Sequence, residues 1–348
     1  MIYLLTKLYA LITVFRVFLY QKGIFRCHHL KNPVVSIGNL TVGGTGKTPL
    51  VIFLAQTLKK AGYQPIILTR GYKRKNKSPV LLVSEGGEIL CTPEECGDEA
   101  YLLGQTLEEI PIVVSKNRYM GGRSIEDRYR NVVHLLDDGY QHLGLHRDLN
   151  ILVLDATDPL NKTRLLPFGR LREPLQALQR ADAIVISRSH ISSDIDLIET
   201  QIRRWNQSVP ISYFHHDVIG LFDARNHQRQ LTPRDFLGKK IAALAAIGNP
   251  SVFLHDLAHY QMKVVERFLF RDHHSLTQVE LDRVLEPVKQ KKVHAVITTE
   301  KDAVRLKNLH FEEKQIYVLQ IEFQPQDLEN YKKNFLEEIK FLCEKNDK

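Results

Sequence analysis

The sequence predicts an α/β protein with a mostly parallel sheet domain, a second, smaller α/β domain and a helix at its N-terminus. Three observations carry that expectation. A short β-branched run, Pro33-Val34-Val35, feeds the glycine-rich stretch Ser36–Pro49, and Leu50, Val51, Leu54 and Leu58 then follow at helical spacing. Apolar runs alternate with helical patterns through the rest of the chain, as in a parallel sheet covered on both faces. The first twenty residues place Leu4, Leu8, Leu11, Ile12, Phe15 and Leu19 on one helical face.

Bulk properties narrow the class. At 348 residues there is material for two domains. The 48 basic residues exceed the 40 acidic ones, so an anionic partner is expected: a nucleotide or an anionic membrane surface. No zinc-finger spacing or RNA-recognition signature is present, so nucleic acid is not expected. Cys27, Cys91, Cys96 and Cys343 are scattered without CxxC spacing, which suits reduced thiols in a cytosolic compartment.

Residues 1–25 read as a helix lying in a membrane interface. Lys7, Arg16, Lys22 and Arg26 supply positive charge beside the apolar face. A spanning helix is disfavoured, because a central charge costs about 2.5–3.5 kcal/mol on insertion scales. A secretory signal lacks its uninterrupted apolar centre and cleavage site. The alternative is a helix packed on its own domain.

Residues 26–218 read as the larger domain, of the P-loop NTPase type. Strand, glycine-rich loop and a helix opening with Gly46-Lys47-Thr48 form a phosphate-binding loop, in which backbone N–H groups and a helix N-terminus converge on phosphate oxygens. Thr41, Val42, Gly43, Gly44, Thr45, Gly46, Lys47 and Thr48 are its expected nucleotide-binding residues. Lys47 would reach the β/γ-phosphates and Thr48 would ligate Mg²⁺. The pattern departs from the usual one at Thr41, where a glycine is customary. Residues 64–69, 80–83, 111–115, 131–136, 149–154 and 181–187 read as buried strands. The polar composition of residues 219–235 suggests a linker. Residues 236–325 form the smaller α/β domain, with strands at 239–247, 292–298 and 315–320, and residues 326–348 a closing helix.

Two strands end in aspartate, at Asp137-Asp138 and at Asp155. Either could hold Mg²⁺ beside the loop, or cap a turn. Asp137-Asp138 is favoured because Gly139, Gln141 and His142 add polar groups. Gly97-Asp98-Glu99 opens a helix, where adjacent carboxylates most often act as caps and alternatively as a general base. Asp272-His273-His274 is open to base, ligand or surface readings. Arg70–Lys77 is a dense basic loop, and Arg170 and Arg172 sit in a Pro/Gly-bounded loop suited to clamping a phosphoryl group. Thr299-Glu300-Lys301-Asp302 could contact nucleotide or cap a helix.

Together these segments resemble the tetraacyldisaccharide 4′-kinases, the lipid A 4′-kinases of Gram-negative bacteria. The resemblance rests on Ser36–Asn39 with Val42–Pro49, Arg70-Gly71-Tyr72, Gly97-Asp98-Glu99, Asp137–His142, Leu171-Arg172-Glu173-Pro174, Asp272-His273-His274 and Thr299–Asp302, in the family's order. Ala100 and Arg271 stand where the family often has proline, or proline or alanine.

The resemblance implies transfer of the ATP γ-phosphate, with Mg²⁺, to the 4′-hydroxyl of a tetraacylated glucosamine disaccharide 1-phosphate, a lipid A precursor. It also implies a peripheral protein on the cytoplasmic face of the inner membrane, with no obligate protein partner expected. Carried over by position, Asp98 is the base and His273 the partner that orients it. Lys47 holds the phosphates, and Arg172 stabilises the moving phosphoryl group. Asp138 is the strand-end acid, while Thr48, Glu99 and Gln141 form the Mg²⁺ environment. The competing reading, a nucleotide-driven switch ATPase, usually has a second lysine early in the loop, and Thr41 and Val42 offer none.

Overall fold

The computed structural model describes residues 2–158, 160, 164–192 and 194–346. The chain divides into two compact units, Met1–His215 with Phe323–Lys348, and His216–Glu322. Met1 and residues 347–348, which the helix expectations include, lie outside the described residues.

The first unit opens with α1 (Ile2–Gln21), β1 (Val34–Gly38) and α2 (Lys47–Lys60). It continues with β2 (Gln64–Thr69), β3 (Val80–Glu85), β4 (Glu88–Ile89), α3 (Pro93–Cys96), α4 (Asp98–Thr106), β5 (Ile112–Ser115) and α5 (Arg118–Arg123). Then come β6 (Val132–Asp137), β7 (Leu149–Asp155), β8 (Ala183–Ser187) and α6 (Ile195–Trp205). Their strands lie in the order β8-β7-β1-β6-β2-β5-β3-β4 and are parallel from β8 to β5. β1 and β6 are buried at every position, which is why they read as largely apolar runs without alternation. The 80–83 segment, expected as one more buried strand, instead runs antiparallel on β5 near the sheet edge and is only partly covered. Its length and composition carry no mark of that direction.

The position of β1 organises the site. β6 and β7 flank it, with Ile37 opposite Asp137 on one side and Ile151 on the other. The loop after β1 therefore opens between the carboxyl ends of two strands, where ligands bind in open α/β sheets.

β9 (Ile211–Asp223) contributes Ile211–Phe214 to the first unit, paired with β8. In the second unit its end pairs antiparallel with β10 (Gln230–Leu231). β11 (Lys240–Ala245), α7 (Pro250–His259), β12 (Lys263–Leu269), α8 (Gln278–Lys289), β13 (Val296–Thr299), α9 (Glu300–Leu306) and β14 (Ile316–Pro325) follow, with strands in the parallel order β12-β11-β13-β14. Residues 219–235, expected as a linker, carry regular structure. They hold the end of β9, all of β10 and the buried Leu221, anchored in the second unit's core with Phe236, Phe253, Leu257 and Tyr317. A polar tip, Asp223–Arg229, masked a hairpin whose apolar residues lie on either side of it. β12 was missed for the opposite reason: it is an edge strand, largely exposed, with charges at Lys263, Glu266 and Arg267.

The chain then returns to the first unit as α10 (Leu328–Tyr331) and α11 (Glu337–Asn346). Tyr331 and Phe335 stack with rings 5.4 Å apart, and Tyr331 meets Phe53 of α2 at 5.1 Å and Phe214 at 5.6 Å. Phe323 stacks on Phe214 at 4.9 Å. The closing segment therefore packs on the helix that follows the glycine-rich loop, and belongs with it.

α1 turns its apolar residues outward. Leu5, Leu8, Leu11, Ile12, Phe15 and Phe18 are exposed, whereas Thr6, Tyr9, Ala10, Thr13 and Val17 form the half-buried stripe. That is the reverse of a helix packed by its apolar face on its own core. Among the described residues, no helix is long and apolar enough to cross a membrane.

Candidate phosphoryl-transfer site

α2 begins at Lys47 on a left-handed Gly46 (φ 88°), with no side-chain cap and no acidic residue in its first turn. A Cβ at Gly46 would be strained in that conformation and would lie 3.3 Å from Ser187 Cβ. The open N-terminus leaves helix N–H groups and a partial positive charge for an anion.

The loop is held from behind by four side chains. Asn39 Nδ2 donates to Thr45 Oγ1 at 2.9 Å, and Ser187 Oγ to the Thr45 carbonyl at 2.9 Å. Arg188 donates to the Gly44 carbonyl at 3.0 Å, and Arg170 Nε to that of Val42 at 3.0 Å. The backbone of the arginine loop also pairs with this stretch, through Val42 N to the Arg170 carbonyl (2.8 Å) and Arg172 N to the Leu40 carbonyl (2.7 Å).

Asp138 sits at the mouth, one residue past β6, in the left-handed region (φ 53°). Arg172 Nη1 lies 2.8 Å from each of its carboxylate oxygens, and Lys47 Nζ lies 3.5 Å from Oδ1. Burial pushes its carboxyl up, but Lys47 and Arg172 together outweigh that and bring it down to about 2. Gln141 braces the arrangement: its Nε2 donates to the Asn39 carbonyl and to Glu173 Oε1, both at 3.0 Å, while its Oε1 accepts from Arg172 at 3.3 Å.

Asp137 behaves differently. It is buried, and burial, then the charges of Glu99 and Asp138, push it up to about 7. Its Oδ1 has no hydrogen-bond partner. Two neighbouring acids, one with an orphaned buried oxygen, are the donor set that a divalent cation satisfies, and Mg²⁺ held with a nucleotide needs only one or two protein carboxylates.

Asp98 and Glu99 form the first turn of α4. Gly97 before them is left-handed in φ (93°), and a Cβ there would meet the Tyr72 carbonyl at 2.7 Å. That close approach ties the Arg70-Gly71-Tyr72 loop to the start of α4. Asp155 takes the capping role: its Oδ1 accepts from Thr157 N (3.0 Å) and Thr157 Oγ1 (2.7 Å), and it pairs with Arg188.

In the second unit His273 is left-handed (φ 60°), its N–H bonded to the Ala246 carbonyl at 3.1 Å. Lys301 Nζ lies 3.2 Å from its Nε2, and Arg305 Nη2 lies 3.3 Å from its Nδ1. Thr299 caps α9 by accepting from Asp302 N, and Asp302 accepts from Thr299 Oγ1 (2.8 Å), Ala246 N (3.1 Å) and Arg305 (2.7 Å). Thr299 and Asp302 are therefore engaged in holding the turn on which His273 rests.

Sequence reasoning missed Arg188, Ser187 and Arg118. Ser187 ends β8 and Arg188 follows it, with no motif around them. Arg118 is 4 % exposed and donates weakly to the Asp137 carbonyl (3.5 Å), with Nε unpartnered. Burial lowers it to about 10. Burial and then Arg118, Arg147, Arg16 and Arg70 likewise lower His142 to about 4, so the mouth is strongly cationic.

A parallel sheet, a glycine-rich loop opening a bare helix N-terminus, and a lysine, an arginine and acids gathered at its mouth define a phosphate-loop kinase. The model of the tetraacyldisaccharide-1-P 4′-kinase family matches residues 1–340, and the chain belongs to that family. It is 36 % identical over 313 residues to the tetraacyldisaccharide 4′-kinase of Halothermothrix orenii, covering 87 % of this chain and 81 % of that one. It is 33 % identical over 344 residues to the enzyme of Desulfatibacillum aliphaticivorans, covering 96 % and 92 %. The crystal structure of LpxK from Aquifex aeolicus in complex with ATP superposes with a TM-score of 0.72 at 33 % identity, covering 96 % of this chain and 97 % of that one.

Proposed function

We propose that the protein transfers the γ-phosphate of ATP to the 4′-hydroxyl of a tetraacylated glucosamine disaccharide 1-phosphate, working from the cytoplasmic face of the inner membrane. The observation that carries this reading is the convergence of Lys47 and Arg172 on Asp138 beside the uncapped start of α2. In the resting protein the carboxylate holds both cations in place. When a triphosphate enters, Lys47 and Arg172 have a stronger anion to turn to, and Asp138 keeps them oriented.

The residues of the loop, Thr41 to Thr48, enclose the phosphates with backbone N–H groups. Thr48, with Glu99 and Asp137, would hold Mg²⁺, which when bound neutralises charge on the β- and γ-phosphate oxygens. Gln141 acts beside them by fixing Arg172. Asp98 accepts the proton of the sugar hydroxyl as it attacks, and His273 orients Asp98. The anionic membrane surface receives the outward apolar face of α1, flanked by Lys7, Lys22 and Arg26.

A labelled-ATP transfer assay with total lipid extract as acceptor, followed by mass analysis of the product, tests the reading. A disaccharide lipid gaining one phosphate at the 4′-position is the expected result. Hydrolysis of ATP without any lipid product, stimulated by self-association, would instead support a nucleotide switch.

A further inference from the structure

Arg172 and Gln141 are both gripped through their backbone by α1. Tyr9 Oη donates to the Arg172 carbonyl at 3.0 Å, and Arg16 Nη2 donates to the Gln141 carbonyl at 3.2 Å. The two donors lie two helical turns apart, hence on one face. Their targets are the residues that set Asp138: Arg172 holds its carboxylate, and Gln141 links Arg172 to the Asn39 carbonyl at the base of the loop. The apolar residues of α1 around them, Leu8, Leu11, Ile12 and Phe15, are exposed. One helix thus fastens the arginine network through two polar side chains while its apolar residues stay open.

We infer that Tyr9 and Arg16 are positioning residues: α1 is a strut whose two polar contacts fix where the side chains of Arg172 and Gln141 start, and so set the phosphoryl-transfer site. This rests on the phosphotransfer reading above. The physical reason is the short lever between a held carbonyl and its own side chain. A guanidinium displaced by about an ångström no longer meets its target, and misplacement of that order is worth about a hundredfold in rate. Tyr9 is suited to a constant tie, because burial and the nearby Glu173 raise its phenol and keep it a donor, despite the opposing effect of Arg172. The Arg16 guanidinium lies 5.7 Å from the Tyr20 ring, a contact that fixes its stem.

The test uses the full chain with Tyr9→Phe, Arg16→Gln, their combination, and Arg16→Lys. Three quantities are read: co-sedimentation with phosphatidylglycerol vesicles, kcat and KM for the lipid acceptor, and backbone hydrogen exchange at residues 139–142 and 170–174. The expected result is vesicle binding and KM close to wild type, kcat about tenfold lower in the double variant, recovery in Arg16→Lys relative to Arg16→Gln, and faster exchange confined to those two segments. An unchanged kcat, a loss that merely follows vesicle binding, or unaltered exchange overturns the inference. If the wild-type protein phosphorylates no lipid, the phosphotransfer reading fails on its own, and the exchange data still decide whether α1 braces those segments.

Discussion

Arg172 places one guanidinium nitrogen 2.8 Å from both carboxylate oxygens of Asp138, while Lys47 approaches Oδ1 to 3.5 Å. Two cations share one acid at the end of β6 and are oriented by it. Lys47→Ala and Arg172→Ala should each lower kcat by about 10²–10³-fold, the usual effect of losing a donor aimed at developing charge. Steady-state kinetics on the lipid acceptor check this, and a loss under threefold for either variant would contradict it.

Asp98→Asn and His273→Ala should slow turnover by about 10²–10⁴-fold, as expected for removal of a general base or its orienting partner. Nucleotide affinity, measured by calorimetry, should remain close to wild type. Normal turnover in both variants would remove them from the mechanism.

Gly97→Ala tests the seat of the base. The residue has φ 93°, and its Cβ would stand 2.7 Å from the Tyr72 carbonyl. Strain of about 1–3 kcal/mol is expected from such a backbone, with a lower Tm and a reduced kcat together. A variant with unchanged Tm would show that the two loops can separate without strain.

The face of α1 offers a test without chemistry. Leu8→Glu with Phe15→Glu places two acids on exposed positions, so binding to anionic vesicles should fall sharply while Tm stays within a degree or two, surface changes being worth about 0.5 kcal/mol or less. Retained sedimentation with vesicles would argue against a membrane role for that face.

His134 supplies a pH prediction. It is fully buried on β6, with Glu126 at 3.6 Å, and burial lowers its pKa despite that carboxylate. The unfolded chain therefore binds a proton that the folded state resists, and stability should decline as pH falls below about 6.5. Glu126, though burial opposes its ionisation, is brought down to about 2 by His134 and Arg123, so its contribution is lost at lower pH. Tm measured between pH 7.5 and 5 should drop, and His134→Gln should flatten the curve in that window. A wild-type Tm that rises on acidification would refute the sign.

Much of this protein was legible in its residues, because some chemistry can be written only in local patterns. The glycine spacing before Lys47-Thr48 points to a phosphate-binding loop, and apolar runs such as 151–154 point to a buried strand. The acid-ended β6 was likewise readable as a candidate neighbour of that loop. The outward apolar side of α1 was visible as spacing too.

What the sequence could not decide was adjacency. Only its polar neighbours favoured Asp137-Asp138 over Asp155 in the sequence, whereas the order β7-β1-β6, with the contacts it creates, gives Asp138 to Lys47 and Arg172 while leaving Asp155 to cap a turn with Thr157. The same holds for the hairpin at 219–235 and for the grip of Tyr9 and Arg16 on residues far along the chain. Periodicity records which face of an element avoids water. It carries no record of the neighbour that covers it, because burial is non-directional, and only the packed chain selects each polar partner.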